Sequence, residues 1–251
     1  NLAYVVAIGI DKGEKETYKI TFQFTTGTSQ QSSEQNPSFI NSVEASSIDT
    51  AINLINAYIS KELNLSHCKV IVFSEELAAE GLSNLIYTFI NHVQLRPSTN
   101  IIISKTTSLS YIENTKPTLE SLITKYYDVF PNSNKYTGYV SNVTIGDFFN
   151  ALVCKTCEPS AILGGVSTGK VDTTIQGGND FYVRSMETNF VGEQGSENLG
   201  LAVFKGDTLV GELNAIETLC LSLVRNQVDS FLLSVVNPDN EEEKIDISIN
   251  N

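Results

Sequence analysis

Residues 66–82 read SHCKVIVFSEELAAEGL, and the chain continues to Ile101-Ile102-Ile103 before its pattern changes. Lys69 to Phe73 shows no alternation of apolar and polar residues, as expected of a strand covered on both faces. Ser74 suits a helix N-cap, and Glu75 and Glu76 put negative charge in the first turn, where the helix dipole favours it. Gly81 interrupts. Leu82, Leu85, Ile86, Phe89, Ile90 and Val93 then recur at helical spacing until Arg96-Pro97 stops the run. A strand, a helix and a second strand in this order place the two strands parallel in one sheet, which puts the fold in the mixed α/β or α+β class.

Upstream, Tyr4 to Ile10 is nearly all apolar, and Tyr18, Ile20, Phe22 and Phe24 alternate with polar residues, so the two runs predict a hairpin around the polar turn Asp11 to Lys15. Residues 25–38 are rich in Thr, Ser and Gln and read as a surface loop. A Ser46-x-x-Asp49 capping signal then opens a helix whose inner face is Ile48, Ala51, Ile52, Ile55, Tyr58, Ile59 and Leu63.

Downstream the signal weakens at 107–117, where a domain boundary is expected. Leu119, Leu122, Ile123, Tyr126 and Tyr127 predict a helix, and Ile145, Phe148, Phe149, Leu152 and Val153 another, capped by Thr144. Residues 164–200 are too rich in Gly, Ser, Asn and Thr for a core. The segments 199–204 and 208–210 flank a Lys205-Gly206-Asp207 turn, and Ile216, Leu219, Cys220, Leu223 and Val224 predict a last helix. Two closing strands, 230–236 and 245–249, surround an acidic turn. The expected organisation is an α/β domain over 1–113, a second α+β domain over 114–226, each a mixed sheet packed by helices, and the start of a third, truncated domain or a linker over 227–251.

The 251 residues are 41% hydrophobic, enough for a core without disulfide or metal staples. A net charge of −13, with no basic cluster, argues against nucleic acid or an anionic membrane surface as a direct partner. No apolar run approaches the roughly 20 residues of a spanning helix.

The candidate constellations are weak. Gly164 to Lys170 has the glycine and lysine spacing of a phosphate loop, but Val171 stands where a Mg²⁺-binding hydroxyl belongs and a β-prone run follows instead of a helix. Cys154-x-x-Cys157 has redox spacing at the C-terminal pole of a predicted helix, the wrong end to stabilise a thiolate. It reads as two incidental thiols or one structural disulfide. His67 and His92 have too few companions for a zinc site, and Glu75 and Glu76 are explained by the helix terminus. The residues therefore point to no catalytic residue, no metal and no cofactor.

Three segments carry a family resemblance: 1–12 (NLAYVVAIGIDK), 66–82 (SHCKVIVFSEELAAEGL) and 199–213 (LGLAVFKGDTLVGEL). Together they resemble the Ger(x)C family, the lipoprotein C subunits of spore germinant receptors. Within them His67, Glu75, Glu76, Gly81, Gly206 and Gly211 match, with Arg96 downstream resembling the family's arginine; Glu212 stands where the family is often apolar. The resemblance implies a non-enzymatic receptor subunit acting in nutrient-triggered germination through contacts with two integral-membrane subunits. It implies tethering to the outer face of the spore inner membrane by a lipidated Cys expected to precede Asn1, and a further C-terminal domain. The matched residues are expected to be structural or to lie at interfaces. The alternative is direct binding of an amino acid or nucleoside germinant, with the Gly-rich segment 164–200 as a lid between two domains.

Overall fold

The computed structural model describes residues 2–26, 38–167, 182–188, 190 and 194–250. Its elements run β1 (Leu2–Lys12), β2 (Tyr18–Thr26), β3 (Ser38–Ala45), α1 (Ile48–Tyr58), β4 (Glu62–Asn64), β5 (Val70–Ser74), α2 (Glu75–Glu80), α3 (Ser83–Ile90) and β6 (Asn100–Ser104). There follow α4 (Ser108–Asn114), α5 (Ile123–Val129), a 3₁₀ turn (Phe130–Ser133), α6 (Asn134–Thr137), α7 (Ile145–Val153) and β7 (Ser160–Val166). The last are β8 (Ser196–Lys205), β9 (Thr208–Leu213), α8 (Ala215–Val224), β10 (Ser230–Asn237) and β11 (Asn240–Asn250).

One mixed sheet dominates, with the order β3-β2-β1-β5-β6-β7-β8-β9 and β4 paired to the start of β1. Its centre, β1-β5-β6-β7, is parallel, and the flanks β2-β3 and β8-β9 are antiparallel. The uninterrupted apolar strands divide their side chains by the period of two. Ile71, Phe73, Ile101, Ile103, Ala161 and Leu163 face a core completed by α1, α2, α3 and α7. Val70, Val72, Ile102 and Ile162 face the other side, under Tyr111 and Ile112 of α4 and Tyr127 of α5. No helix among the described residues is long and apolar enough to cross a membrane.

The boundary expected at 113/114 falls inside this sheet. β6 hydrogen-bonds directly to β7, and Ile101 and Ile103 share a core with Ile145, Phe148 and Leu163. Among the described residues only β10 and β11, in the segment expected to start another domain, form a separate sheet.

Several local readings change. α1 is capped by Ser47, whose side chain accepts from the Thr50 amide, one residue later than the Ser46 signal, and its Tyr58 is exposed. The helix expected around Leu119 starts at Ile123, leaving Leu119 exposed. β7 runs through Gly164 and Gly165, where only loop was expected: a Cβ at Gly164 would come within 2.7 Å of Ile102 Cγ2, so the glycine is what allows the strand to lie against its neighbours. α4 and the edge strand β3 fall where no element was expected. Thr168 to Lys170, the second half of the phosphate-loop pattern, lie outside the described residues, as do 168–181, 189 and 191–193 of the lid segment.

Candidate functional site

The matched residues separate into two ends of the sheet. His67 and Arg96 lie at the amino-terminal end of the parallel strands; His67 is exposed and its ring packs on Tyr4 at 4.7 Å between centroids, while Arg96 is exposed in the turn leading to β6. Glu75 and Glu76 lie at the carboxyl end, in the first turn of α2, with Glu76 3.8 Å from Lys12. Gly81 and Gly206 come together through the residue between their elements. Gly81 has φ +112° and a Cβ there would meet Asp207 at 2.9 Å, so the β8-β9 turn seats directly on the α2-α3 junction. Asp207 accepts from the Leu82 amide with its carbonyl and from the Ser83 amide with its carboxylate at 3.2 Å. The Ser83 hydroxyl chiefly holds the Asp207 carboxyl below the ordinary range; burial opposes it and the Ser83 amide adds to the lowering. The Gly206 amide, in a turn with φ +60°, donates to Glu158. Gly211 sits in β9 opposite Val203.

Two assemblies at the carboxyl end went unread in the sequence. In the first, Lys105 follows β6 and reaches Glu212 of β9 at 3.0 Å and Glu187 at 4.0 Å, while Arg184 pairs with Glu187 at 3.2 Å. Burial and the nearby Glu212 carboxylate push Glu75 above the usual carboxylate value, with Lys105 offsetting part of the shift. A recess of about 420 Å³ lined by Ser74, Glu75, Glu76, Lys105, Thr106 and Thr107 opens beside it. The ion pairs tie β6, β9 and the 182–188 segment into one unit. The detectable signal was a lysine two residues after the Ile101-Ile102-Ile103 run, at the end of the sheet where open α/β folds place their polar sites.

The second is a cavity of about 420 Å³ between α5, the 3₁₀ turn, α6 and the start of β8. The Tyr126 and Phe130 rings stack along its wall, with centroids 5.4 Å apart and planes at 22°. Behind them Tyr111 donates its hydroxyl to Asn198 Oδ1 at 2.8 Å, and Gln194 Nε2 donates to the Tyr126 hydroxyl at 2.9 Å. Burial raises the Tyr126 and Tyr111 phenols above their ordinary values, so both stay protonated. The spacing of Tyr126 and Phe130 was legible as a helix face; the polar half of the cavity comes from a strand about 70 residues later and was not.

The remaining candidates are structural or isolated. Cys154 and Cys157 are joined by a disulfide just after α7. Burial pushes the Cys68 thiol up to about 12, which makes it inert at neutral pH. Among the described residues no group of three or more His, Cys, Asp or Glu could hold a metal.

Against known proteins, a family model described as spore germination protein N-terminal domain matches residues 1–166, and one described as spore germination B3/GerAC like, C-terminal, matches residues 199–251. No curated protein and no solved structure gives a significant match. The first model alone covers more than half of the chain, and the two occur in order on the sheet and hairpin described above, so the chain belongs to the GerAC family, the C subunits of spore germinant receptors.

Proposed function

We propose that the chain serves its germinant receptor as a non-catalytic subunit, working through protein contacts with the receptor's integral-membrane subunits while a lipidated Cys holds it to the outer face of the spore inner membrane. Family membership supports the setting. The observation that supports contact as the mode of action is the β10-β11 hairpin. Phe231, Leu233 and Val235 pair with Ile249, Ile247 and Ile245, which places six apolar side chains on one face. Phe231 is buried against Leu219 and Val228, whereas Ile245, Ile247 and Ile249 stay 37–42% exposed. An exposed apolar patch on a two-stranded hairpin, which is marginal by itself, favours a covering surface, either the further C-terminal domain that the family resemblance implies or a partner subunit. With a net charge of −13 on the chain, that partner is recognised by apolar burial more readily than by phosphate or anionic lipid.

Association with purified membrane subunits in detergent tests this. Ile247→Lys should weaken association at least about tenfold, because one lost apolar anchor and one buried charge together exceed about 1.4 kcal/mol. Unfolding temperature should hardly move, since the side chain is already part exposed. Absence of association by the unaltered chain with every membrane subunit, or full association by the variant, would end the proposal.

A further inference from the structure

The aromatic cavity beside β8 lies where the sheet changes from parallel (β6-β7) to antiparallel (β7-β8), at the start of β8 under α5 and the 3₁₀ turn. Three features restrict what it can hold.

The first is shape. Tyr126 and Phe130 form a stacked, nearly parallel wall, and Tyr136 and Phe190, 60% and 59% exposed, stand at the rim on the open side. Flat apolar faces favour a flat guest. The second is charge. Among the described lining residues there is no Lys, Arg or His, and the one acid, Glu197, has its carboxylate committed to the Met186 amide and the Thr188 hydroxyl. A charged guest would lose its hydration with nothing of opposite sign to meet it. The third is hydrogen-bonding capacity left over. Gln194 spends only its Nε2, on Tyr126 and on the Ser196 carbonyl, so its Oε1 accepts nothing among the described residues. Ser196 is 3% exposed and lies beside the Tyr126 phenol, yet its Oγ makes no hydrogen bond of good geometry. A buried hydroxyl in that condition is costly unless something completes it.

We propose that this cavity is a binding site for an uncharged planar heterocycle carrying both donors and acceptors on its edge, the chemistry of a nucleobase. The ring lies against Tyr126 and Phe130, its edge meets Gln194 Oε1 and Ser196 Oγ, and Tyr136 and Phe190 border it at the rim. The volume, about 420 Å³, falls within the usual range for small-molecule sites.

Isothermal titration of the full chain with adenine and with uracil tests the assignment, with glucose as a neutral non-planar control and phenylalanine as a charged aromatic one. At least one of the two bases should bind saturably, and both controls at least about tenfold more weakly. Tyr136→Ala and Phe190→Ala remove exposed rings and should leave thermal unfolding unchanged, while each weakens base binding about tenfold, the scale of one lost base-aromatic stack. No saturable binding of either base overturns the proposal, as does phenylalanine binding as tightly as the bases. Unchanged affinity in both rim variants also overturns it, because the base then sits elsewhere. None of these failures touches the receptor-contact reading, whose test runs through the hairpin on β10 and β11.

Discussion

Gly9 lies in the middle of β1 directly beneath α4, and a Cβ there would stand 2.6 Å from Ser108 Oγ and 2.8 Å from Ile112 Cδ1. Two residues on, Asp11 is 5% exposed and accepts from the Ser108 amide at 2.7 Å, the Ser108 hydroxyl at 2.8 Å and the Leu109 amide at 3.3 Å. The Gly-Ile-Asp of the first family segment is therefore a seat for α4. Gly9→Ala should cost about 1–3 kcal/mol by overpacking, and Asp11→Ala about 3 kcal/mol by orphaning buried amides, both read by urea unfolding. Asp207→Ala should cost about 1 kcal/mol at neutral pH through lost capping of α3. Because the Asp207 carboxyl is held below its unfolded value of about 3.9, that stability is present above this pH and lost as the pH falls through the depressed value; the variant and the parent should converge in strong acid. Glu75 has the opposite sign. Its raised carboxyl favours the folded state below about pH 4.3, and the benefit is lost as pH rises through the folded value. Glu75→Gln should thus raise the unfolding temperature slightly at pH 7, by about 1 °C given how far solvent screens the site, and have no effect near pH 3.5.

At the scale of elements, strands with uninterrupted apolar runs and helices with strong caps stood out in the sequence, because each signal is local. α7 has its capping box, Thr144 with Asp147; the Asn214 and Glu217 box of α8 was not read in the sequence and is shown by the structure. α4 escaped notice because it spans only Ser108–Asn114 and buries just Ser108, Tyr111 and Ile112; its position is set by Asp11, about 97 residues earlier. β3 escaped because it is an edge strand with only Ala45 fully buried; Ile40 and Val43 pack on the two cores part buried, and the exposed Ser42 meets Thr21 through a hydrogen bond. The β10-β11 hairpin was expected and is present, yet it joins no other sheet. Its contacts run to α6 and α8, through Leu219, Val228 and Phe231. Phe231→Ala should loosen the hairpin by about 3–4 kcal/mol of lost burial while leaving the large sheet intact, seen as early hydrogen exchange confined to β10 and β11.

Across the whole molecule, β1 to β9 form one sheet, and the two faces of that sheet carry the two main cores. A fragment of residues 1–113 would expose the edge of β6 and strip Ile101 and Ile103 of Phe148, Ala161 and Leu163. It should aggregate or fail to unfold cooperatively, whereas circular dichroism and tyrosine fluorescence of the intact chain should trace one coincident urea transition for the sheet. The sequence by itself determined the α/β character, the parallel pairing of β5 and β6, the Ser74 and Thr144 caps and the family, since periodicity, capping residues and matched segments are local signals. Only the tertiary structure decided that one sheet crosses residue 113, that the β8-β9 turn seats on Gly81, that Lys105 meets Glu187 and Glu212, and that Tyr126 faces Gln194 and Ser196. Those pairings join residues dozens of positions apart, and no local pattern encodes a contact whose free energy exists only once the chain has closed the intervening loop.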